Sequence, residues 1–92
     1  MIVRIIGEGQ LQLDDTHLEE LNELDDALTE AVQAGDEPLF EQHLVRLVER
    51  VRSLGTPVPD DSLVESDFIL PGPTSSLTEV RDLLGEEGLI PG

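Results

Sequence analysis

Residues 14–55 read DDTHLEELNELDDALTEAVQAGDEPLFEQHLVRLVERVRSLG, and this stretch decides the fold. Apolar side chains recur at helical spacing on both sides of Gly35, which predicts amphipathic helices over 16–34 and 37–54. Gly35 is suited to end the first helix and Asp36 to cap the second. The residues expected inward are Leu18, Leu21, Leu24, Leu28, Ala31 and Val32 in the first helix and Phe40, Leu44, Leu47, Val48, Val51 and Leu54 in the second. Helices joined by so short a turn fold back as an antiparallel hairpin.

The segments on either side of this helical hairpin predict short strands and one further helix. Two β-prone runs within 2–13 flank a Gly-Glu-Gly turn and predict a β-hairpin. Capping boxes at Thr16 with Glu19 and at Ser76 with Glu79 are expected to open helices. The remaining expected elements are a rigid connector at 55–66, an added strand at 67–70, a helix at 76–84 with Leu77, Val80, Leu83 and Leu84 inward, and a tail at 85–92. The sequence thus predicts one α+β domain over 1–92, with the β-hairpin packed on the α-hairpin.

The charge of the chain is large and unevenly distributed. Its 21 acidic residues against 5 basic ones give a formal net charge of −16. Ten of the acidic residues lie within 14–37, where there is no Lys or Arg. Such a field repels nucleic-acid phosphate and anionic lipid headgroups. No apolar run reaches the roughly 18 residues that span a bilayer. We therefore expect neither nucleic-acid binding nor direct membrane insertion.

The sequence contains no recognisable catalytic or metal-binding pattern. It has no Cys, so disulfides, thiolate metal sites and a cysteine nucleophile are excluded. His17 and His43 are the only histidines, and their spacing is not that of a metal-binding pair. Asp25 and Asp26 are consecutive helix residues and should point about 100° apart. We expect a non-enzymatic protein without metal or cofactor; a small metal-dependent enzyme would require a metal held by a histidine with carboxylates.

The first long helix is rich in acidic residues, whereas the second contains three of the five arginines. The first presents Glu19, Glu20, Glu23, Asp26 and Glu30 with no intervening base. Most such surfaces are simply solvated, but the complete lack of bases favours a basic partner. The second helix carries three arginines, Arg46, Arg50 and Arg52. These either pair with acids of the first helix and with a nearby Glu, or contact an acidic partner directly.

Four segments of the chain together resemble a family of small accessory proteins. They read MIVRIIGEGQ at 1–10, LDDTHLEELNELDDAL at 13–28, GTPVPDDSLVESDFILP at 55–71 and SSLTEVRDLLGEEGLIPG at 75–92. In order and spacing they resemble the PspA-associated proteins termed PspAA, over essentially the whole chain. The resemblance implies no catalytic residue. It implies an accessory role in the phage-shock or envelope-stress response, in which PspA, an ESCRT-like coiled-coil protein, assembles on damaged membrane.

The expected function is therefore that of a cytoplasmic binding module that modulates a PspA-like coiled-coil protein and reaches the inner face of the membrane only through it. The candidate contact residues are Glu19, Glu23 and Glu30 on the first helix and Leu83, Leu84, Leu89 and Ile90 near the C-terminus. A second hypothesis is an acidic mimic that occupies a basic nucleic-acid-binding surface of another protein. A mimic needs spaced charges, whereas a coiled-coil binder leaves some Leu or Val exposed. The sequence is also compatible with self-association into a homo-oligomer.

The crowding of acids in the first helix makes the stability of the fold depend on salt. Added salt screens exposed like charges within a Debye length of about 10 Å at roughly 0.1 M. We expect the melting temperature, followed by circular dichroism at neutral pH, to rise as NaCl is added. A flat or falling curve would mean that favourable ion pairs outweigh self-repulsion.

Overall fold

A computed structural model describes residues 1–59, 61–62 and 64–84, which form a mixed sheet packed against helices. The strands are β1 (Ile2–Ile5), β2 (Gly9–Gln12), β3 (Thr56–Pro57) and β4 (Phe68–Leu70), and the helices are α1 (Leu18–Ala34), α2 (Glu37–Leu54) and α3 (Leu77–Leu84). The predicted α+β class is confirmed, including the β-hairpin, the α-hairpin and the C-terminal strand and helix. The predicted tail at 85–92 lies outside the described residues.

The sheet is assembled around β1, in the order β3-β2-β1-β4. β1 is antiparallel to β2, with Val3 opposite Leu11, and parallel to β4, with Val3 opposite Phe68. The β1–β2 turn is closed by the Glu8 N–H, which donates to the Ile5 carbonyl over 2.9 Å. This turn requires glycine at position 7, where φ is +88° and side-chain-bearing residues are strained. The strand predicted near the C-terminus therefore becomes an edge strand beside the N-terminal strand.

The predicted connector at 55–66 is wrong at its start, because Thr56–Pro57 forms a strand. Gly55 leaves α2 with an extended backbone (φ −89°, ψ 155°) and directs the chain along β2. Pairing then places Leu11 opposite Pro57, and the Val58 N–H continues it by donating to the Gln10 carbonyl over 3.0 Å. Proline is tolerated here because β3 is an edge strand that needs no donor on its outer side. Pro57, which favoured a connector in the sequence, is therefore also compatible with a short edge strand.

The rest of the connector crosses the face of the sheet that the helices leave open. β3 and β4 lie at opposite edges, so the chain between them must traverse the sheet. Val3 and Ile5 are buried on the helical side, so Arg4 and its partner Gln10 face the outer side. The Gln10 side-chain amide donates to the Val64 carbonyl over 3.0 Å and to Ser66 Oγ over 2.8 Å. We call the described residues of 58–67 the strap, and Gln10 fastens it to the outer face.

The core is aliphatic apart from Phe40 and lies between the helices and the inner face of the sheet. Its fully buried members are Val3, Ile5, Leu21, Leu28, Val32, Phe40, Leu44, Leu47, Val48, Val51, Leu70 and Val80. The inward positions predicted for α2 are buried except Leu54, which is half-buried, as are Leu18 and Leu24 of α1. Leu83 of α3 was expected inward but is 45% exposed. Among the described side chains of the eight-residue helix α3, Val80 is buried and Leu77 is half-buried.

The helix ends follow the predicted capping chemistry at three of four sites. Gly35 adopts φ +69° after α1, and its N–H donates to carbonyls of the last turn. The Asp36 carboxylate accepts from the Leu39 N–H over 3.2 Å at the start of α2. Ser76 Oγ accepts from the Glu79 N–H over 3.2 Å before α3. The capping box expected at Thr16 is wrong, because Asp14 Oδ1 accepts from the Thr16 N–H and starts a 3-10 turn that precedes α1.

Truncation of Leu28 tests the contact between α1 and α2. Leu28 is fully buried, and Leu28→Ala should lower the free energy of unfolding by about 2 to 5 kcal/mol, which removes most of the stability of a domain this small. Leu39→Ala is the matched control, since Leu39 is 40% exposed on α2 and its truncation should change stability by less than about 1 kcal/mol. Urea titrations followed by circular dichroism measure both. Equal losses for the two variants would contradict this core.

At Gly55 the end of α2 lies against strand β2. A Cβ added there would lie 2.8 Å from Leu11 Cβ and 2.9 Å from the Val51 carbonyl oxygen. Backbone oxygen cannot move aside freely, so Gly55→Ala should destabilise the fold by about 1 to 3 kcal/mol. In thermal melts, Gly55→Ala should have a lower melting temperature than Ser53→Ala, a control at an exposed site of α2. A Gly55→Ala variant within about 0.5 kcal/mol of the original protein would mean that helix and sheet separate easily.

Candidate functional site

One side of α1 is lined by carboxylates, at Glu19, Glu23, Asp26 and Glu30, and we call these four residues the acidic face. They follow one another at intervals of four, three and four residues, which keeps them on one stripe of the helix over about 16 Å. All four side chains are exposed. The stripe lies opposite the buried positions Leu21 and Leu28, because the α1–α2 contact fixes the rotation of the helix. The structure therefore brings the three predicted residues Glu19, Glu23 and Glu30 together.

A shallow depression of about 600 Å³ opens at the N-terminal end of the acidic face. Its lining residues are Asp15, Thr16, Leu18, Glu19, Asn22, Glu23 and Asp26. The half-buried Leu18 supplies an apolar patch among four carboxylates and two neutral polar groups. The aliphatic stem of a Lys or Arg covers apolar surface while its charged head stays among acceptors. The depression is thus suited chemically to a basic side chain.

Arg50 and Arg52 pair with acids outside the acidic face. Arg50 donates to both carboxylate oxygens of Glu20, one of the two bonds being 3.1 Å long. Arg52 donates to both carboxylate oxygens of Glu8 in the β-hairpin turn. These hydrogen bonds hold the pKa values of Glu20 and Glu8 below their usual range. Among the described residues, no member of the acidic face takes part in an ion pair.

The predicted pairing of the α2 arginines with acids of α1 is confirmed for Arg50 only. Arg52 points to the β-hairpin turn instead, because the C-terminal end of α2 lies beside that turn. Arg46 makes no ion pair within the described part of the chain. It lines a wide, open depression of about 790 Å³, together with Leu24 of α1 and Val45 of α2. Charges of both signs surround this second concavity, so it selects a partner less sharply than the acidic face.

The two histidines occupy separate structural positions on the helices. His17 precedes α1 as its N-terminal cap residue without a side-chain capping bond. His43 is half-buried on α2, and its Nδ1 is buried without a hydrogen-bond partner among the described residues. Within those residues, no group of three or more His, Asp or Glu side chains is arranged to hold a metal ion. None of the described helices is long and apolar enough to cross a membrane.

Asp25 is a residue whose environment sequence reasoning missed. It is 2% exposed, whereas Asp26 is exposed, so the two consecutive carboxylates do point apart as predicted. The signal was its position, since Asp25 follows Leu21 by four residues and precedes Leu28 by three, on the apolar face. Its backbone carbonyl also accepts a bond of 2.9 Å from Thr29 Oγ1. Asp25 therefore belongs to the interior of the fold and not to the acidic face.

The C-terminal candidates are only partly within the described structure. Leu83 is exposed on α3, which makes it available for contact. The backbone of Leu84 ends α3, while its side chain, Leu89 and Ile90 lie outside the described residues. The structure thus places Leu83 on the surface and leaves the apolar C-terminal contact as a prediction.

These features define a class: a small α+β protein with a helical hairpin on a four-stranded mixed sheet and a row of unpaired carboxylates on its first helix. The sequence profile of the PspA-associated protein family, PspAA, matches residues 1–92. The chain belongs to this family, as its four segments indicated. No curated protein and no solved structure matches the chain.

Proposed function

We propose that this protein is a non-enzymatic accessory protein that binds PspA through the acidic face of α1 and thereby modulates it. Membership of the PspA-associated family supports PspA as the partner. The observation that carries the choice of surface is the row of four exposed carboxylates without an ion pair among the described residues. A surface of one sign attracts a partner segment of the opposite sign and speeds its encounter.

The chemistry of the acidic face supports a basic partner segment. The depression at its N-terminal end offers carboxylates around Leu18, an arrangement that suits a Lys or Arg side chain. Asp26 and Glu30 continue the row by one more turn of helix. A helical or extended segment of PspA with bases spaced along one side matches this row. The bound state would be stabilised by charge-assisted hydrogen bonds at the depression and by weaker, screened attraction along the rest.

The exposed apolar residues favour this proposal over the acidic mimic. A mimic of nucleic acid requires spaced charge and little exposed apolar surface, whereas large aliphatic side chains are exposed on several elements here. They are Ile6, Leu39, Val45, Val64, Ile69 and Leu83. Those of them that lie within a contact would add apolar burial to an attraction that charge alone would make weak. The basic partner is therefore proposed to be a protein surface that also offers apolar contacts.

Neutralisation of the acidic face tests the proposal. The triple variant E19Q/E23Q/E30Q should bind purified PspA with a lower association rate and with a weaker dependence of that rate on NaCl. The melting temperature should not fall, because exposed carboxylates contribute little to stability. Surface plasmon resonance over a range of NaCl concentrations measures the rates.

The matched control removes the same number of charges elsewhere. E37Q/E41Q/E49Q neutralises three exposed acids on α2 and should reduce the association rate much less. Equal reductions by both triple variants would show that only net charge matters and that the acidic face is not the contact. Absence of any binding by the unmodified protein at tens of micromolar would overturn the proposed function and favour the acidic mimic.

A further inference from the structure

The outer face of the sheet carries an apolar strip that surrounds a single arginine. Alternation along β1 places Ile2, Arg4 and, just past the strand end, Ile6 on this face. The parallel register of β4 sets Ile69 directly beside Arg4. Ile6 is 50% exposed and Ile69 is 49% exposed. We call Ile2, Arg4, Ile6 and Ile69 the outer strip.

The strap passes β1 at the Ile2 end, where the Asp67 N–H donates to the Ile2 carbonyl over 2.7 Å, and it leaves Arg4, Ile6 and Ile69 exposed. Its anchor is Gln10 of β2, whose side chain holds Val64 and Ser66. β1 and β4 lie on the far side of that anchor. Val64 itself is exposed beside the strip and lines a cavity of about 260 Å³ with Arg4 and Gln10. The strap therefore forms one wall of the strip, and the edge strand β4 forms the opposite border.

Arg4 gives the outer strip a positive charge that is surrounded by aliphatic side chains. The chain has 21 acids and 5 bases, yet Arg4 is exposed and makes no ion pair among the described residues. Its neighbours in the strip are aliphatic. A complementary surface is thus apolar with one carboxylate at its centre, because a desolvated guanidinium requires a paired acceptor.

We infer that an amphipathic helix of the partner, with one acidic residue in its apolar stripe, packs on the outer strip. This inference rests on the proposed function, since PspA is the partner to be tested, and it adds a second contact face opposite the helical layer. A sheet face is normally covered by a helix or another sheet, and β4 is too short to offer much of a backbone ladder to an added strand. A second copy of this chain would oppose Arg4 with Arg4 and bring together two net charges of −16.

The test separates the local charge of Arg4 from the net charge of the protein. Arg4→Glu should weaken equilibrium binding to purified PspA by about tenfold or more, because it places like charges in the contact. Arg81→Glu makes the same change in net charge at an exposed site on α3 and should weaken binding by less than about threefold. Isothermal titration calorimetry measures both, with circular dichroism melts as the check on folding.

A second pair of variants tests the apolar part without altering charge. Ile69→Ser should weaken binding several-fold, while Leu39→Ser, at an exposed apolar site on α2, should leave it unchanged. Equal effects within either pair would overturn the inference while leaving the proposed function intact. If E19Q/E23Q/E30Q lost binding while Arg4→Glu and Ile69→Ser kept it, the inference would also be overturned and the proposed function would stand. No binding by the unmodified protein overturns both.

Two further measurements exclude the other occupants of the outer strip. Sedimentation of the isolated protein with phosphatidylglycerol vesicles, abolished by Arg4→Glu, would assign the strip to lipid. A concentration-dependent dimer in analytical ultracentrifugation, abolished by Ile69→Ser, would assign it to a second copy. Either result overturns the inference. A protein that stays monomeric and does not sediment with the vesicles supports it.

Discussion

The apolar contact between α1 and α2 determines the orientation of every charged surface on this protein. Leu21 and Leu28 of α1 and Leu47 of α2 are fully buried in it. Burial at these positions fixes the rotation of each helix about its axis, because residues three and four apart share a face. The acidic face of α1 then necessarily points to solvent. In a chain of net charge −16, this apolar contact must also outweigh the mutual repulsion of the carboxylates.

The sheet depends on that helical layer and joins segments that are far apart in the sequence. β1 pairs with β2, the next strand in the chain, and with β4, which lies some 65 residues later. Just before β4, the Asp67 carboxylate accepts a hydrogen bond from the Ile2 N–H. α2 ends beside β2, and the absence of a side chain at Gly55 permits that approach. A strap must consequently cross the outer face to connect β3 with β4. The order of strands thus leaves one part of the outer face covered and another part exposed.

The distribution of the few arginines gives the two exposed surfaces different chemistry. Arg50 and Arg52 are used within the fold, where they tie α2 to Glu20 of α1 and to Glu8 of the β-hairpin turn. No arginine pairs with the acidic face in the part of the chain that the structure describes. Arg4 lies on the other layer among isoleucines. A protein with a carboxylate row on one layer and an apolar strip with one cation on the other is suited to contact a partner in two chemically distinct ways.

The sequence by itself determined the elements whose signals are local. The α1 and α2 helices, the Gly35 and Asp36 caps and the buried stripe from Phe40 to Val51 follow from 3.6-residue periodicity and from side chains that bond to their own backbone neighbours. The carboxylate row at Glu19, Glu23 and Glu30 follows from the same periodicity. Family membership also followed, from the order and spacing of four segments.

Only the tertiary structure decided the features that depend on distant residues. Thr56–Pro57 forms a strand because the end of α2 places it beside β2, and Leu83 is exposed although it lies only three residues after the buried Val80. Asp25 is buried, and its helical spacing from Leu21 and Leu28 places it on the apolar face, but only the structure shows that a carboxylate is accommodated there. The partners of Arg50 and Arg52, the path of the strap and the exposure of Arg4 with Ile69 depend on which segments meet in space. Periodicity and capping are properties of a few adjacent residues, whereas strand order and packing arise from the fit of the whole chain, so only the second set required the folded structure.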